Sequence, residues 1–356
     1  MIARFEYEPF ATSCLRSMLN SFSFAIVFLL FNVIITCRDI TKLHKNVNFD
    51  ALKLNTDNYM GKHSLGQWFF AVRPWSFPAS AMPIFVTLTY LYWTGADMNW
   101  GYGVWALVNM VLFHVAGNVW SDYHDFKKSV DRDDTTGATT LTSGMFQPYE
   151  IRNLAIGVFI IAAAGGVGLV LLTGLPLLWI GLAGAALTLL YPMLKYNALG
   201  DVDILLTFAF LPTIGTAFVT TGAIDWSVLL IALPVGLITD GILHSNNTRD
   251  MVPDKRAEIK TLAMGLGPKI SAAMYSFEVL FPFVWVVACV AMKVMPWPVL
   301  VALVAFPIAL GCSKTMLKFP NEGADVILDL DQKTAKLQMV FSLLLSVAFV
   351  ISRLVF

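Results

Sequence analysis

The feature that most constrains this chain is a series of apolar segments that recur at regular intervals and are long enough to cross a membrane. A transmembrane helix needs about 20 consecutive apolar residues. The composition agrees, because 57% of the 356 residues are hydrophobic and 13% are charged, against roughly 45–50% and 25% in soluble domains. The sequence predicts an all-α integral membrane protein in contact with the lipid bilayer, with spans at 74–95, 101–121, 151–173, 176–194, 202–222, 226–246, 270–292, 296–312 and 337–355.

The first 60 residues differ from the rest of the chain. They contain one apolar run, from Phe22 to Thr36, which is short for a span. No small-residue cleavage site follows it, which argues against a cleaved signal peptide. We expect either an extra anchor or interfacial helix, or a stretch that results from an upstream start codon, since Met60 precedes the main body. The predicted division is an N-terminal extension, 1–60, and one membrane domain, 61–356.

The distribution of charge predicts the orientation. Lys+Arg and Asp+Glu number 24 each, a balance that argues against a nucleic-acid partner. The long polar connections follow the second, fourth, sixth and eighth spans, so they lie on one side, and they contain most of the Lys and Arg residues. The positive-inside rule places that side in the cytoplasm. We therefore expect a multi-pass protein of the cell's inner (cytoplasmic) membrane, with its active site facing the cytoplasm.

Two acidic motifs stand where apolar spans end on this same side. Their spacing of three or four residues places an amide and two carboxylates on one helical face. Four predicted helices separate the motifs, which suggests a weak parallel repeat and predicts that the two clusters face each other across a central cavity. The motifs are Asn118-x-x-x-Asp122-x-x-Asp125 and Asn246-x-x-x-Asp250-x-x-x-Asp254.

Opposed carboxylate clusters suit Mg²⁺ and a phosphorylated lipid. Mg²⁺ binds through a few carboxylates together with substrate phosphates, and two such ions neutralise a diphosphate so that an allylic C–O bond can break. Arg249, Lys195 and Lys260 are predicted to complete the clamp on the diphosphate. The four motif aspartates are the predicted catalytic residues, and with the two asparagines they form the predicted metal site: Asn118, Asp122, Asp125, Asn246, Asp250 and Asp254.

Further polar residues lie within the spans. Asp240 falls inside the sixth span, and His244 follows one turn later on the face that also carries Asn247. Ionisable groups in spans are rare and usually functional. We predict that Asp240 either accepts a substrate hydrogen bond or acts as a base, or else is a structural partner of His244. His114 is predicted to be a helix-packing residue.

The motifs and the sequence around them resemble the UbiA superfamily of intramembrane aromatic prenyltransferases. The segments Arg73-Pro74-Trp75-Ser76-Phe77, Leu243-His244-Ser245-Asn246-Asn247-Thr248-Arg249-Asp250 and Lys260-Thr261-Leu262-Ala263 are similar to its menaquinone branch, and the similarity extends from about Gln67 to the C-terminus. Ser121 departs from the pattern, since that position is often Asn in the branch; a serine still donates a hydrogen bond.

The resemblance implies a fold and a reaction. The fold is a nine-helix bundle around a lipid-accessible central cavity, and the reaction is Mg²⁺-dependent transfer of a polyprenyl group from its diphosphate to 1,4-dihydroxy-2-naphthoate, with loss of the ring carboxylate as CO₂. Tyr191, Phe208 and Phe210 are candidates to stabilise the allylic carbocation. The full set of predicted substrate-binding residues is Asn118, Asn246, Asn247, Arg249, Lys195, Lys260, Tyr191 and His244.

Two alternatives remain open from the sequence. The first keeps the fold and changes the aromatic acceptor, for example to 4-hydroxybenzoate. The second is a multi-span transporter, which would explain a polar residue such as Asp240 inside a span. A transporter does not explain why both acidic motifs lie at one cytoplasmic opening with Arg and Lys around them.

Overall fold

The computed structural model of the chain describes residues 63–132 and 139–355, and this part is almost entirely helical. The apolar run predicted near the N-terminus lies outside the described residues. The α-helices are α1 Leu65–Ala71, α2 Phe77–Thr94, α3 Trp100–Lys127, α4 Thr139–Thr142, α5 Pro148–Thr173, α6 Pro176–Lys195, α7 Gly200–Thr221 with a π-helical stretch Leu205–Phe210, α8 Leu229–Arg249, α9 Met251–Arg256, α10 Leu262–Ala291, α11 Phe306–Met316, α12 Phe319–Glu322 and α13 Leu330–Val355. Short 3₁₀ turns span Pro74–Ser76, Trp226–Val228, Trp297–Ala305 and Ala324–Ile327.

Each predicted span falls on a helix of the described region, which confirms a multi-pass helical membrane protein. Eight helical segments there are long and apolar enough to cross a membrane. Helix α2, which corresponds to the first predicted span, is 18 residues long, contains several Thr, Tyr and Trp residues, and is not among these eight. The predicted span 270–292 corresponds to the part of α10 that follows a kink at Gly267, whose φ of 74° favours glycine. A short helical segment that begins at Leu262 and is capped by Thr261 precedes the kink.

The bundle has a large core and a smaller one. The large core joins α2, α8, α10, α11 and α13 through side chains such as Tyr275 and Phe341, whereas the smaller joins α1, α3 and α5 around Phe146 and Ile151. Helices α7 and α8 approach closely, since a Cβ on Gly236 would stand 2.5 Å from the Cβ of Ala209. Most of α8 is buried inside the protein, whereas few residues of α6 are fully buried, as expected for a helix that borders lipid.

Two connections hold the polar end of the bundle together. The segment after α6 pairs with the segment before α10: Ala198 N–H donates to Lys260 O at 2.8 Å, and Lys260 N–H donates to Tyr196 O at 3.0 Å. The residues that follow Lys195 are thereby fixed beside the helix-terminal region that contains Asp254.

Candidate diphosphate and metal site

The first motif lies in the last three turns of α3. Asp122 is buried and pairs with Arg73 across 2.7 Å between Oδ1 and Nη2. Arg73 directly precedes Pro74 and adopts the left-handed region, with φ 53°, a conformation that costs energy and is concentrated at functional sites. One turn before Asp122, Asn118 donates to Ser76 Oγ at 3.1 Å and contacts His114 Nε2 at 2.9 Å.

Asp125 is held by three side chains. Lys195 Nζ donates to Oδ2 at 3.1 Å, Tyr196 O–H donates to Oδ1 at 2.7 Å, and Ser121 O–H donates to Oδ2 at 3.2 Å. Burial, the charge of Asp125 and the hydrogen bond to it raise the pKa of Tyr196, so the phenol stays protonated and donates. Ser121, the departure noted in the sequence, does retain a hydrogen bond to the motif.

The second motif lies at the end of α8 and in α9. Arg249 donates from Nε and Nη2 to the two oxygens of Asp250, both at 2.8 Å, and from Nη1 to Leu328 O at 3.3 Å. Its guanidinium also lies 3.6 Å from Asp331 Oδ2 on α13. The contacts of Arg249 therefore orient Asp250 and tie it to the C-terminal helix; its predicted contact with a diphosphate stays a prediction.

The two motifs converge at Lys195. Burial raises the pKa of Asp254 to about 7; Lys195 opposes this rise, and the carboxylates of Asp250, Asp125 and Asp131 add to it. Carboxylates from both motifs and the ammonium group are thus within electrostatic range of one another. These interactions agree with the expectation that the two clusters face each other, which stays a prediction, and Asp131, six residues after Asp125, interacts with the same group.

The remaining predicted ligands differ in placement. Asn246 has a buried Oδ1 without a hydrogen-bond partner among the described residues. This oxygen is suited to be a ligand of a cation. Asn247 is buried. Lys260 contributes its backbone to the connection beside Tyr196, but its side chain is exposed, so it does not close the cluster as Lys195 does. The converging donors are mainly oxygens, the ligand type that Mg²⁺ prefers.

An apolar cavity of about 290 Å³ runs from the first motif into the bundle. Asn118 and Tyr191 line it near the motifs, and Phe208 lines it from the π-helical stretch of α7, where its ring packs edge-on against His114 at 4.8 Å. His114, predicted as a packing residue, also lines the cavity, and its Nδ1 forms a hydrogen bond of 2.9 Å with Ser80 Oγ. Phe210 is not among the lining residues.

Asp240 and His244 lie elsewhere. His244 is fully buried and its Nδ1 is 2.8 Å from Asp201 Oδ1, while Asp240 interacts electrostatically with Asp201 and Glu278. Neither Asp240 nor His244 lines the cavity. Their predicted roles as base and substrate ligand stay predictions, and the geometry favours the alternative that Asp240 is a neighbour of His244 in a structural cluster.

Several site residues were not assigned a role from the sequence. Arg73 and Tyr196 pair with motif carboxylates, and Asp203 lines the cavity. The rule that ionisable groups within spans are rare, which singled out Asp240, also applies to Asp203 and Glu278. That signal was in the sequence. The roles of Arg73 and Tyr196 were not, since they depend on contacts between distant segments.

Comparison with known proteins shows which family the chain resembles. The sequence profile described as the UbiA prenyltransferase family matches residues 80–328. The chain is 31% identical over 282 residues to UbiA prenyltransferase domain-containing protein 1 of Gallus gallus, covering 78% of this chain and 82% of that protein. It is 32% identical over 286 residues to the Danio rerio protein of the same name, covering 78% and 81%.

Solved structures share the fold at low sequence identity. A UbiA homolog from Aeropyrum pernix K1 superposes with a TM-score of 0.56 at 17% identity, over 77% of this chain and 97% of that one. A UbiA homolog from Archaeoglobus fulgidus, bound to GPP and Mg²⁺, gives a TM-score of 0.52 at 12% identity, over 79% and 99%.

Proposed function

The chain belongs to the UbiA prenyltransferase family, and we propose that it transfers a polyprenyl group from an isoprenyl diphosphate to 1,4-dihydroxy-2-naphthoate in a Mg²⁺-dependent reaction of menaquinone biosynthesis. The observation that carries the proposal is an apolar cavity lined by Asn118 of the first motif, beside Lys195, which bonds to Asp125 and interacts electrostatically with Asp254 of the second motif. A diphosphate head group and an apolar tail need this pairing of a charged opening and a dry interior.

Different residues of the chain would bind the metal ions and the diphosphate. The two motifs would hold Mg²⁺, which supplies a Lewis acid that neutralises the diphosphate as the C–O bond breaks. Lys195 and Arg73 each pair with one carboxylate of the first motif, so both cations lie beside the place where phosphate charge would be bound. Tyr196 and Ser121 fix the orientation of Asp125 by hydrogen bonds.

The cavity provides the conditions for an allylic carbocation. Its lining is dominated by aliphatic and aromatic side chains, which accommodate the prenyl tail and exclude water that would otherwise quench the cation. Tyr191 and Phe208 present aromatic rings close to the motifs, and such rings stabilise cations by about 0.5–2 kcal/mol. The support for prenyl transfer comes from this placement together with the Mg²⁺ and GPP bound by the Archaeoglobus fulgidus homolog.

Support for the naphthoate acceptor comes from the sequence segments around the motifs. The bond from the prenyl carbon forms at the ring carbon that bears the carboxylate, and the electrons of the bond to that carboxylate restore the aromatic ring as CO₂ departs. Diphosphate leaves from the other substrate. Coupling of this kind needs no residue to remove a ring proton. An acceptor such as 4-hydroxybenzoate would lose a proton instead and require a base.

The test uses membranes containing the full chain, a labelled polyprenyl diphosphate and either acceptor, with and without Mg²⁺. We expect Mg²⁺-dependent prenylation of 1,4-dihydroxy-2-naphthoate with release of CO₂, abolished by Asp122→Ala and by Asp250→Ala. Asp97→Asn is the control, because Asp97 is exposed and precedes the opposite end of α3. Product with 4-hydroxybenzoate alone would reject the acceptor. No product from folded protein with any acceptor would favour a transporter.

We further propose that the site opens on the cytoplasmic side and that residues 61–356 form the catalytic domain. The Lys and Arg residues of the long connections support the orientation. A cysteine substituted for the exposed Lys260 should react with a membrane-impermeant reagent from the cytoplasmic side only. Labelling from the other side would reverse the orientation.

A further inference from the structure

A second carboxylate cluster is buried away from the cavity, between α7, α8 and α10. It comprises Asp201 at the start of α7, His244 on α8 and Glu278 on α10, each at most 3% exposed. One potential ligand atom from each lies within 4.8 Å of the other two. Asp240 is one turn before His244 on α8 and interacts with both Asp201 and Glu278.

The hydrogen bonds around His244 determine which ring nitrogen carries a proton. Nε2 is 3.2 Å from the carbonyl oxygen of Ser271 and 2.9 Å from its Oγ. A carbonyl oxygen only accepts, so Nε2 carries the hydrogen. The hydroxyl groups agree: Thr248 donates its single hydrogen to His244 O, so Ser271 must donate to Thr248 Oγ1 across 2.6 Å and has no hydrogen left for the ring.

The other nitrogen of a neutral His244 is then a bare acceptor that faces carboxylates. Nδ1 lies 2.8 Å from Asp201 Oδ1 and 3.8 Å from Glu278 Oε1. A lone pair and two carboxylate oxygens cannot lie together in a buried space without a positive charge between them. That charge is a proton, either on the ring or on a carboxyl group, or a metal ion.

The unpaired oxygens of the cluster favour a metal ion. Within the described part of the chain, His244 is the one cationic group that forms an ion pair with Asp201 or Glu278. A single proton on the imidazole would balance Asp201, and Glu278 and Asp240 would each need a proton of their own to be neutral. Both oxygens of Glu278, Oδ1 of Asp240 and Oδ2 of Asp201 are buried without a hydrogen-bond partner among the described residues, whereas native proteins pair most such atoms.

We propose that Asp201, His244 and Glu278 bind one divalent transition-metal ion of the Zn²⁺ class, with Asp240 beside them. Imidazole nitrogen is a good ligand for Zn²⁺ and a poor one for Mg²⁺. Zn–N and Zn–O bonds of about 2.0–2.2 Å place tetrahedral ligand atoms roughly 3.4 Å apart, between the 2.8 Å and 3.8 Å that separate His244 Nδ1 from the Asp201 and Glu278 oxygens. The bond from Nε2 to Ser271 is the outer hydrogen bond that orients a metal-binding histidine.

This ion would link three helices behind the diphosphate site. Asp201 follows Tyr196 by five residues, and His244 precedes Asp250 by six. The metal therefore fixes the segments that present Lys195 and the second motif to each other. The inference does not depend on the acceptor or on the reaction.

The test measures metal bound to the full-length protein purified in detergent. Protein is loaded with Zn²⁺ in excess Mg²⁺, which occupies the motif carboxylates, and is then passed over a chelating resin before elemental analysis. We expect about one retained Zn²⁺ per chain in the wild type and in Asp254→Asn, and at least about 10-fold weaker retention in Glu278→Gln and Asp201→Asn. Co²⁺ in place of Zn²⁺ should give a visible absorption band that Glu278→Gln removes.

Wild-type protein provides a readout that needs no variant. Stripping with a strong chelator should lower the melting temperature, and Zn²⁺ but not Mg²⁺ should restore it. Retention of equal Zn²⁺ by Glu278→Gln, or a wild type that retains none, would overturn the proposal. A wild type without Zn²⁺ whose stability is unaffected by the chelator would instead indicate a cluster that holds protons.

Discussion

Two carboxylate clusters lie in this protein, and they differ in the cations that accompany them. At the opening of the cavity, Asp122 pairs with Arg73 and Asp125 with Lys195. In the interior, Asp201 and Glu278 have His244 as their ion-pair partner among the described residues. Both clusters are largely buried, so burial does not distinguish them. The cations do.

The difference indicates what each cluster binds. Fixed Arg and Lys side chains beside carboxylates attract an anion and leave the carboxylates to share a cation with it, which is the requirement of a metal-diphosphate complex. A cluster with three carboxylates and one imidazole has room for a cation and no group for an anion. The opening is therefore suited to exchange of substrate, and the interior to a permanently bound ion.

The largest effect should come from removing a motif carboxylate. Asp122→Asn keeps the shape but removes the charge that pairs with Arg73 and, in our account, a metal ligand. We expect the rate of prenyl transfer to fall by about 100-fold or more, measured with saturating prenyl diphosphate. The exposed Asp97→Asn should retain wild-type activity; equal loss in both variants would refute a specific role for Asp122.

Lys195→Met tests the residue on which both motifs converge. Loss of the ammonium group removes its bond to Asp125 and one cation from the diphosphate site. We expect KM for the prenyl diphosphate to rise by roughly 30-fold, since a buried charge-assisted contact contributes about 2 kcal/mol. Lys195→Arg should recover part of this loss. A normal KM in Lys195→Met would exclude Lys195 from the site.

The dependence on Mg²⁺ should change with pH because Asp254 must lose its proton to bind metal. With a pKa of about 7 in the metal-free protein, the carboxyl is mostly protonated at pH 6 and mostly ionised at pH 8. The Mg²⁺ concentration for half-maximal activity should therefore be about 10-fold higher at pH 6 than at pH 8. In Asp254→Asn this pH dependence should be lost, and its persistence there would assign the titration to another group.

Tyr196→Phe removes the hydrogen bond to Asp125 Oδ1 and keeps the ring. A bond to a charged acceptor contributes about 1.5 kcal/mol or more. The Mg²⁺ concentration for half-maximal activity should therefore rise by at least roughly 10-fold. The protein should fold normally, as measured by its melting temperature. An unchanged response would mean that Lys195 and Ser121 suffice to orient Asp125.

Ser121→Ala should give the smallest effect. Its bond to Asp125, at 3.2 Å, is longer than that of Tyr196 and shares the oxygen with Lys195. We expect the Mg²⁺ concentration for half-maximal activity to rise by about 3-fold, which corresponds to a contribution near the lower end for a hydrogen bond. A loss as large as that of Tyr196→Phe would show that the departure at this position matters more than its geometry indicates.

The sequence predicted those features that depend on local periodicity. The helical spacing of Asp122 and Asp125, and of Asp250 and Asp254, was enough to define both motifs. The spans followed from hydropathy, and Lys195 followed from its place at a helix end. These features are set by neighbours within a few residues, so a single sequence contains them.

The remaining features depend on contacts between distant segments. Tyr196 donates a hydrogen bond to Asp125, from which it is separated by 71 positions in the sequence. Arg73 pairs with Asp122 and adopts a left-handed backbone conformation that no periodic pattern predicts. Lys260 shows the reverse case: its position in the sequence suggested a ligand, but the connection beside Tyr196 uses its backbone and leaves its side chain exposed. Charge in a loop does not fix the direction in which a side chain points.

The most direct test of the account is whether the two motifs form one diphosphate site. Binding of a non-reactive prenyl thiodiphosphate to purified protein should be measured with and without Mg²⁺ for the wild type, Asp125→Asn and Asp254→Asn. The account predicts one Mg²⁺-dependent site that either substitution alone weakens by at least about 10-fold. Undiminished Mg²⁺-dependent binding in either variant would contradict the shared site and leave a single motif to bind the diphosphate.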